Sequence, residues 1–326
     1  MEMTGFRHQV GGHFGLFECT GHVAKPVNAR EMAFYELLTD NIRTFTPAYC
    51  GRVLVSTSIS EKGELTLSTP SMFDCHKRLP HTPPSTSRPK KMRFRLKNGK
   101  VMVDLDKNEN TFAGECQAKV VHRLLKNGPS WFILLENIVE NFEMPCVLDL
   151  KMGTRQHGDD APAHKVAAQM RKCAESTSAL LGVRIVGMQL FDGPSGAFNF
   201  VNKLEGRKID QQQFYDYFYL YLRACGEKRA KILKKRLEAI RNVLLEAEGF
   251  RFFSSSILVA FDAIGREDNI RVQMIDFAHS TFPGFCQDAL YYGADDGYLQ
   301  GVETLIAQLE FFLESFPETP ESCASR

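Results

Sequence analysis

One stretch limits the fold of this chain more than any other. Pro145-Cys146-Val147-Leu148-Asp149-Leu150-Lys151-Met152-Gly153 is an apolar run that carries a carboxylate and an ammonium two residues apart at its end. In a strand or extended turn the side-chain period is two, so Asp149 and Lys151 point the same way. On one face of a cleft such a pair can grip two parts of a nucleotide, the Asp taking ribose hydroxyls while the Lys neutralises a phosphate. The plainer reading is a structural ion pair between the two. Gly153 favours the ligand, because a residue without a Cβ lets a bound molecule approach the backbone closely.

Composition sets the remaining bounds. The chain has 326 residues, 44% hydrophobic and 24% charged, enough for two lobes with a core each. No apolar stretch is long enough to span a bilayer, and Met1-Glu2-Met3-Thr4-Gly5-Phe6-Arg7 lacks the order of a signal peptide. A soluble intracellular protein without membrane insertion is expected. The nine cysteines are scattered and include no Cys-x-x-Cys pair, which points to reduced thiols in place of a disulfide framework or zinc site. A net charge of +1 gives no global field, so nucleic acid is not an expected partner, and affinity for a polyanion has to come from local clusters.

Short β-type runs alternate with glycines at the start: Phe6 to Val10, Phe14 to Cys19 and His22 to Lys25 read as consecutive hairpin strands. Ala29 to Leu38 then has helical spacing, and a helix after a strand-borne Lys is the order of a protein-kinase N-lobe. Strands follow at Gly51 to Ser58 and Leu65 to Ser68. Cys75 to Lys97, rich in Pro, Ser and basic residues, reads as a mobile, solvated loop. A helix around Gly114 to Leu125 and a strand from Trp131 to Leu135 lead to Glu136-Asn137-Ile138, where a lobe boundary is placed. Beyond it, His164 to Leu181 has the pattern of one amphipathic helix, with Val166, Met170, Cys173, Thr177 and Leu180 as its apolar stripe and Lys165, Gln169 and Lys172 on a neighbouring ridge. Strands at Val183 to Phe191 and Phe198 to Lys203 precede a helix from Asp210 and a long helix from Glu227 to Glu248. Strands at Phe252 to Asp262 and Arg271 to Phe277 and a helix from Val302 to Phe312 close the pattern.

A second cluster lies in Met274-Ile275-Asp276-Phe277-Ala278-His279. It sets an Asp at the end of an apolar strand, where a carboxylate is costly unless it meets a cation or donors. A magnesium ligand is the natural reading of Asp276. Lys25, at the end of a hairpin strand and followed by Glu31 on a helix, fits a phosphate-contacting lysine with its carboxylate partner. The turn His8 to His13, with Gly11 and Gly12, can drape backbone amides over phosphates.

The pattern Pro145-x-x-x-Asp149-x-Lys151-x-Gly153 together with Ile275-Asp276-Phe277 resembles the signatures of the inositol polyphosphate kinases. The continuation Thr154-Arg155-Gln156-His157-Gly158-Asp159-Asp160-Ala161 narrows the resemblance to the inositol hexakisphosphate kinases, and Ser254-Ser255-Ser256-Ile257-Leu258 is similar to their Ser-Ser-Leu-Leu segment. The resemblance runs from His8 to Tyr298. It implies an α+β, two-lobed, protein-kinase-like fold related to ATP-grasp, with an antiparallel-sheet N-lobe over residues 1–138. A mixed α/β C-lobe over 139–316 would carry an inositol-phosphate-binding helical segment, and 317–326 would be a disordered tail.

ATP and Mg2+ are the implied cofactors. Inositol hexakisphosphate and pentakisphosphate are the implied substrates, phosphorylated to diphosphoinositols at the 5-position in cytoplasm and nucleus. In this scheme Lys25 contacts nucleotide phosphate with Glu31 as its partner, Glu136 and Ile138 offer backbone to adenine, and Asp149 holds the ribose. Lys151 spans the γ-phosphate and the acceptor oxygen, and Asp276 binds the metal. Lys165, Gln169, Lys172, Arg155, Lys203 and His279 face the acceptor. Two other readings stay open: a multikinase or trisphosphate 3-kinase acting on less phosphorylated inositols, and a non-catalytic inositol-phosphate-binding scaffold.

Overall fold

The computed structural model describes residues 1–12, 14–69, 92–105 and 110–316. Eight strands form the first sheet: β1 (Glu2–Gly5), β2 (Phe17–Cys19), β3 (His22–Pro26), β4 (Tyr49–Ile59), β5 (Glu64–Ser68), β6 (Arg93–Lys97), β7 (Lys100–Asp104) and β8 (Ser130–Glu136). Their order is β1-β2-β3-β8-β4-β5-β6-β7, every pairing is antiparallel, and β1 also pairs with β5, so part of the sheet closes into a small barrel. Met3, Phe17, Val53, Val55, Leu67, Phe132 and Leu134 fill it. Thr20 and Gly21 both have positive φ between β2 and β3, the geometry that matches a two-residue turn to the twist of a hairpin. Helices α1 (Ala29–Leu37), α2 (Asp40–Arg43) and α3 (Thr111–Asn127) flank this sheet in sequence, and α3 adds Val120, Val121 and Leu124 to its core.

The second sheet, ordered β11-β10-β9-β12-β13, is antiparallel throughout: β9 (Pro145–Met152), β10 (Val183–Asp192), β11 (Ala197–Val201), β12 (Ser256–Asp262) and β13 (Ile270–Ile275). Six further helices accompany it: α4 (Ala163–Ala174), α5 (Thr177–Leu181), α6 (Lys203–Gly206), α7 (Gln211–Cys225), α8 (Glu227–Glu246) and α9 (Asp296–Glu314). Phe214, Phe218 and Tyr221 of α7, Leu233, Leu237 and Ile240 of α8, and Val302, Leu305 and Leu309 of α9 lie in its core. Each such buried side chain contributes about 1.5–3 kcal/mol. Strand β9 is central and almost wholly buried, which is why its sequence is continuously apolar apart from Asp149 and Lys151. No helix of the described residues is long and apolar enough to cross a membrane.

The α+β expectation holds, and four local expectations need correction. Phe6 to Val10 is a turn and not a strand. The buried Gln9 side chain donates to the carbonyls of Gly11 (2.9 Å) and Phe14 (2.6 Å) and accepts from the Leu16 amide (2.9 Å), satisfying backbone groups that a ladder would otherwise need to pair. The expected helix His164 to Leu181 is two helices, because the Ser176 side chain accepts from the Ser178 amide and caps α5 separately. Of the predicted apolar stripe Cys173 and Thr177 are buried, whereas Met170 and Leu180 are 60% and 62% exposed, so only part of it reaches the core. Within the expected loop, Arg93 to Lys97 is strand β6, with Phe94 buried between exposed arginines at period two. Lys203 begins α6 and does not end a strand, since Asn202 and Glu205 form a capping box. Residues 75–91 of that loop, His13 and the tail beyond Phe316 lie outside the described residues.

Candidate active site

Strand β3 turns Lys25 inward, and α1 begins immediately after it with Asn28 accepting from the Glu31 amide. The Lys25 ammonium lies 2.8 Å from Glu31 Oε1 and 2.6 Å from Asp276 Oδ1, joining two elements 251 residues apart. Asp276 follows β13 with a φ of +67°, an uncommon conformation for a residue with a side chain. The fully buried Phe277 holds it there by stacking on Phe34 (4.9 Å) and meeting Tyr35 edge-on (5.1 Å), both on α1. Packing between α1 and the strand end therefore brings both carboxylates to one ammonium. Burial lowers the Lys25 pKa, but the charges of Asp276 and Glu31 outweigh it and raise it above the ordinary lysine range. Burial, with the charge of Asp276 beside it, raises the Glu31 carboxyl against the opposing pull of Lys25.

Asp149 and Lys151 occupy one face of β9, as their spacing predicts, yet they make no ion pair with each other. Lys151 Nζ donates to the carbonyl of Ser254 (2.5 Å) and to its hydroxyl (3.0 Å). Burial, opposed by Asp276 and assisted by Arg184, lowers the Lys151 pKa to about 8. Burial, with the Asp276 charge, pushes Asp149 up to about 6. Asp149 Oδ1 is buried without a hydrogen-bond partner. The turn before β2 presses on this residue: a Cβ on Gly11 would come within 2.2 Å of Asp149 Oδ2, and one on Gly187 within 2.0 Å of the Val10 carbonyl. The four groups Lys25, Asp149, Lys151 and Asp276 thus form one electrostatic unit.

The remaining predicted residues divide. Lys165 and Lys172 are exposed on α4 and Gln169 is half-buried there. Lys203 is 6% exposed, its amine is 3.4 Å from the Gly12 carbonyl, and burial with the charges of Arg207, Lys151 and Arg184 lowers its pKa to about 7. His279 lies against Gly158 with Nδ1 buried and unpartnered, and burial lowers its pKa. Arg155 is committed elsewhere: it stacks on Phe253 at 4.0 Å and donates to Asp159 (2.6 Å) and Tyr291 (2.9 Å). Glu136 ends β8 with its carboxylate accepting from the Ala48 amide (3.2 Å), and Ile138, half-buried, packs with the cluster of Phe6, Val10 and Val139. Two arginines that the sequence pattern does not single out, Arg184 and Arg207, join Lys151 and Lys203 electrostatically. For Arg184 the available signal is a lone arginine inside the apolar run Val183 to Met188.

The metal donor set is sparse. Among the described residues no group of three or more His, Cys, Asp or Glu is arranged to hold an ion. The Asp276 side chain, 30% exposed, is a hard oxygen donor of the kind magnesium takes, and it would hold such an ion by its carboxylate.

The sequence pattern of inositol polyphosphate kinases matches residues 132–310. Mouse inositol hexakisphosphate kinase 3 is 34% identical over 369 residues, 93% of this chain and 93% of the relative. Human inositol hexakisphosphate kinase 3 is 32% identical, with 95% of each chain covered, and human inositol hexakisphosphate kinase 1 is 32% identical, with 94% of this chain and 92% of the relative covered. Among solved structures, inositol phosphate multikinase of S. cerevisiae in complex with ADP and Mn2+ superimposes with a TM-score of 0.58 at 22% identity, over 90% of this chain and 99% of that one, a likeness of fold. By this family pattern, and by relatives matched along nearly its whole length, the chain belongs to the inositol polyphosphate kinase family.

Proposed function

We propose that this protein transfers the γ-phosphoryl group of ATP to a phosphate of inositol hexakisphosphate, and of inositol pentakisphosphate, forming a diphosphoinositol, with attachment at the 5-position. The observation that carries the reading is the convergence of Lys25, Glu31 and Asp276 beside Lys151 in a chain whose relatives over more than nine-tenths of its length are named inositol hexakisphosphate kinases. Residues 1–138 and 139–316 are then the two lobes of a protein-kinase-like fold, with the nucleotide between them. The backbone from Glu136 to Ile138 meets the adenine edge, Asp149 the ribose, and Lys25 a nucleotide phosphate while Glu31 fixes its amine.

Asp276 holds magnesium, which supplies charge neutralisation on the phosphates when bound. Lys151 donates from its amine to the γ-phosphoryl group and the acceptor oxygen together. No residue need act as a base, because the acceptor is a phosphate oxygen already anionic at neutral pH, and a loose transition state demands positioning and charge stabilisation above all. Lys165, Gln169, Lys172, Lys203 and His279 orient the acceptor.

Phosphorus NMR of the protein with magnesium-ATP and inositol hexakisphosphate tests the reading. Growth of an inositol-bound diphosphate pair as ATP falls supports it. ATP consumed only with less phosphorylated inositols shifts the assignment to a multikinase. ATP untouched by any inositol phosphate sinks the enzymatic reading.

A further inference from the structure

Arg184 of β10 stands in register with Lys151 of β9, so two cations occupy neighbouring positions on one sheet face. Helix α6 adds two more. Its Gly206 lies so close to β10 that a Cβ there would meet the Ile185 carbonyl at 2.5 Å, and this approach brings Lys203 and the following Arg207 toward Arg184. On the other side, the charge of Arg184 reaches Cys173 of α4. Arg184 Nη1 and Arg207 Nε are both buried without a hydrogen-bond partner. Arg184 is pulled down to about 10 by burial and by Arg207, with Asp149 as the carboxylate that opposes the shift. Unpaired guanidinium nitrogens beside like charges are costly in a resting protein, and an anion removes the cost.

On the kinase reading above, we propose that Arg184 and Arg207 form a phosphate subsite on the floor between α4 and α6, so that the acceptor ring is gripped from two sides. A ring phosphorylated on one side only leaves one grip empty. The structure therefore favours the most highly phosphorylated inositols through residues outside the α4 ridge. The guanidinium fork suits a phosphate group in a way a lysine does not.

The experiment is equilibrium binding of inositol hexakisphosphate, without nucleotide, to wild type, Arg184→Gln, Arg207→Gln and the milder Arg184→Lys and Arg207→Lys, each checked for folding by its thermal transition. Loss of one charge-assisted contact is expected to weaken binding by roughly tenfold or more, with less effect on an inositol trisphosphate and no change in the KM for ATP. Without ligand, Arg207→Gln is expected to melt higher than wild type, since a repelled cation is gone. Unchanged hexakisphosphate affinity in folded variants overturns the proposal, as does a raised KM for ATP with acceptor binding intact, which assigns the arginines to the nucleotide. Tight binding by wild type without turnover overturns the kinase reading and leaves the subsite standing.

Discussion

The amine of Lys151 lies 2.5 Å from the carbonyl oxygen of Ser254, a residue whose φ of +60° turns both its carbonyl and its hydroxyl toward that amine. Two acceptors from one strained residue hold the ammonium in place before any substrate arrives. Because burial brings Lys151 down to about 8, most of the charge is present at neutral pH and it drains away as pH rises through about 8. Log kcat/KM should fall with a slope near −1 above about pH 8, as expected for one essential protonated group in the free enzyme. Ser254→Ala, which loses one acceptor of the ammonium, should move that fall to lower pH. A pH–rate profile flat to pH 10 would remove Lys151 from this role.

Asp276→Asn separates activity from stability. The carboxylate that carries the proposed metal goes, while Lys25 is left wholly to Glu31, whose own charge was disfavoured partly by Asp276. A loss of turnover of about a thousandfold or more is expected, with little change in thermal midpoint. A scaffold would keep its function in this variant, so retained phosphoryl transfer would contradict the assignment.

Asp149→Asn should stabilise the protein while harming it. Its folded pKa, about 6 against an ordinary 3.8, means that the ionised form is disfavoured in the fold. Well below pH 3.8 the group is protonated in both states and the substitution gains nothing. Between about 3.8 and about 6 the unfolded chain ionises while the folded group stays protonated, so wild type loses stability that the Asn variant keeps, as much as about 3 kcal/mol once the pH is above about 6. Urea midpoints at pH 4 and pH 7.5 check this: a difference between variant and wild type that fails to grow with pH would contradict it.

Lys165→Ala and Lys172→Ala act at the exposed ridge of α4. Each should raise the acceptor KM by about threefold to tenfold at low salt with kcat nearly unchanged, and the effect should shrink at high ionic strength. Steady-state kinetics at two salt concentrations decides; a fall in kcat with unchanged KM would move these lysines out of acceptor binding.

What could be read in advance was local. The period of two places Asp149 and Lys151 together, and the five residues between Lys25 and Glu31 are a short enough link to pair them. The register of β9 with β10 is not local, so Arg184 looks like an isolated arginine until the sheet sets it beside Lys151. The turn at Gln9 defeats a strand reading because one side chain replaces three ladder partners. Ser176 divides a continuous helical pattern with a single cap.

The ion pair of Lys25 with Asp276 also imposes an order on assembly. Phe34 and Tyr35 on α1 pack against Phe277, so α1 lacks much of its seat until the residues around 276 exist. At ordinary translation speeds a separation of 251 residues corresponds to roughly ten to fifty seconds. During that interval the nascent barrel carries a helix whose Phe34 and Tyr35 lack their cover and an ammonium short of one counter-charge, the kind of surface that chaperones hold and proteases cut. Substitutions at the Phe34–Phe277 contact should therefore lower the yield of protein in cells by more than their effect on the finished fold suggests.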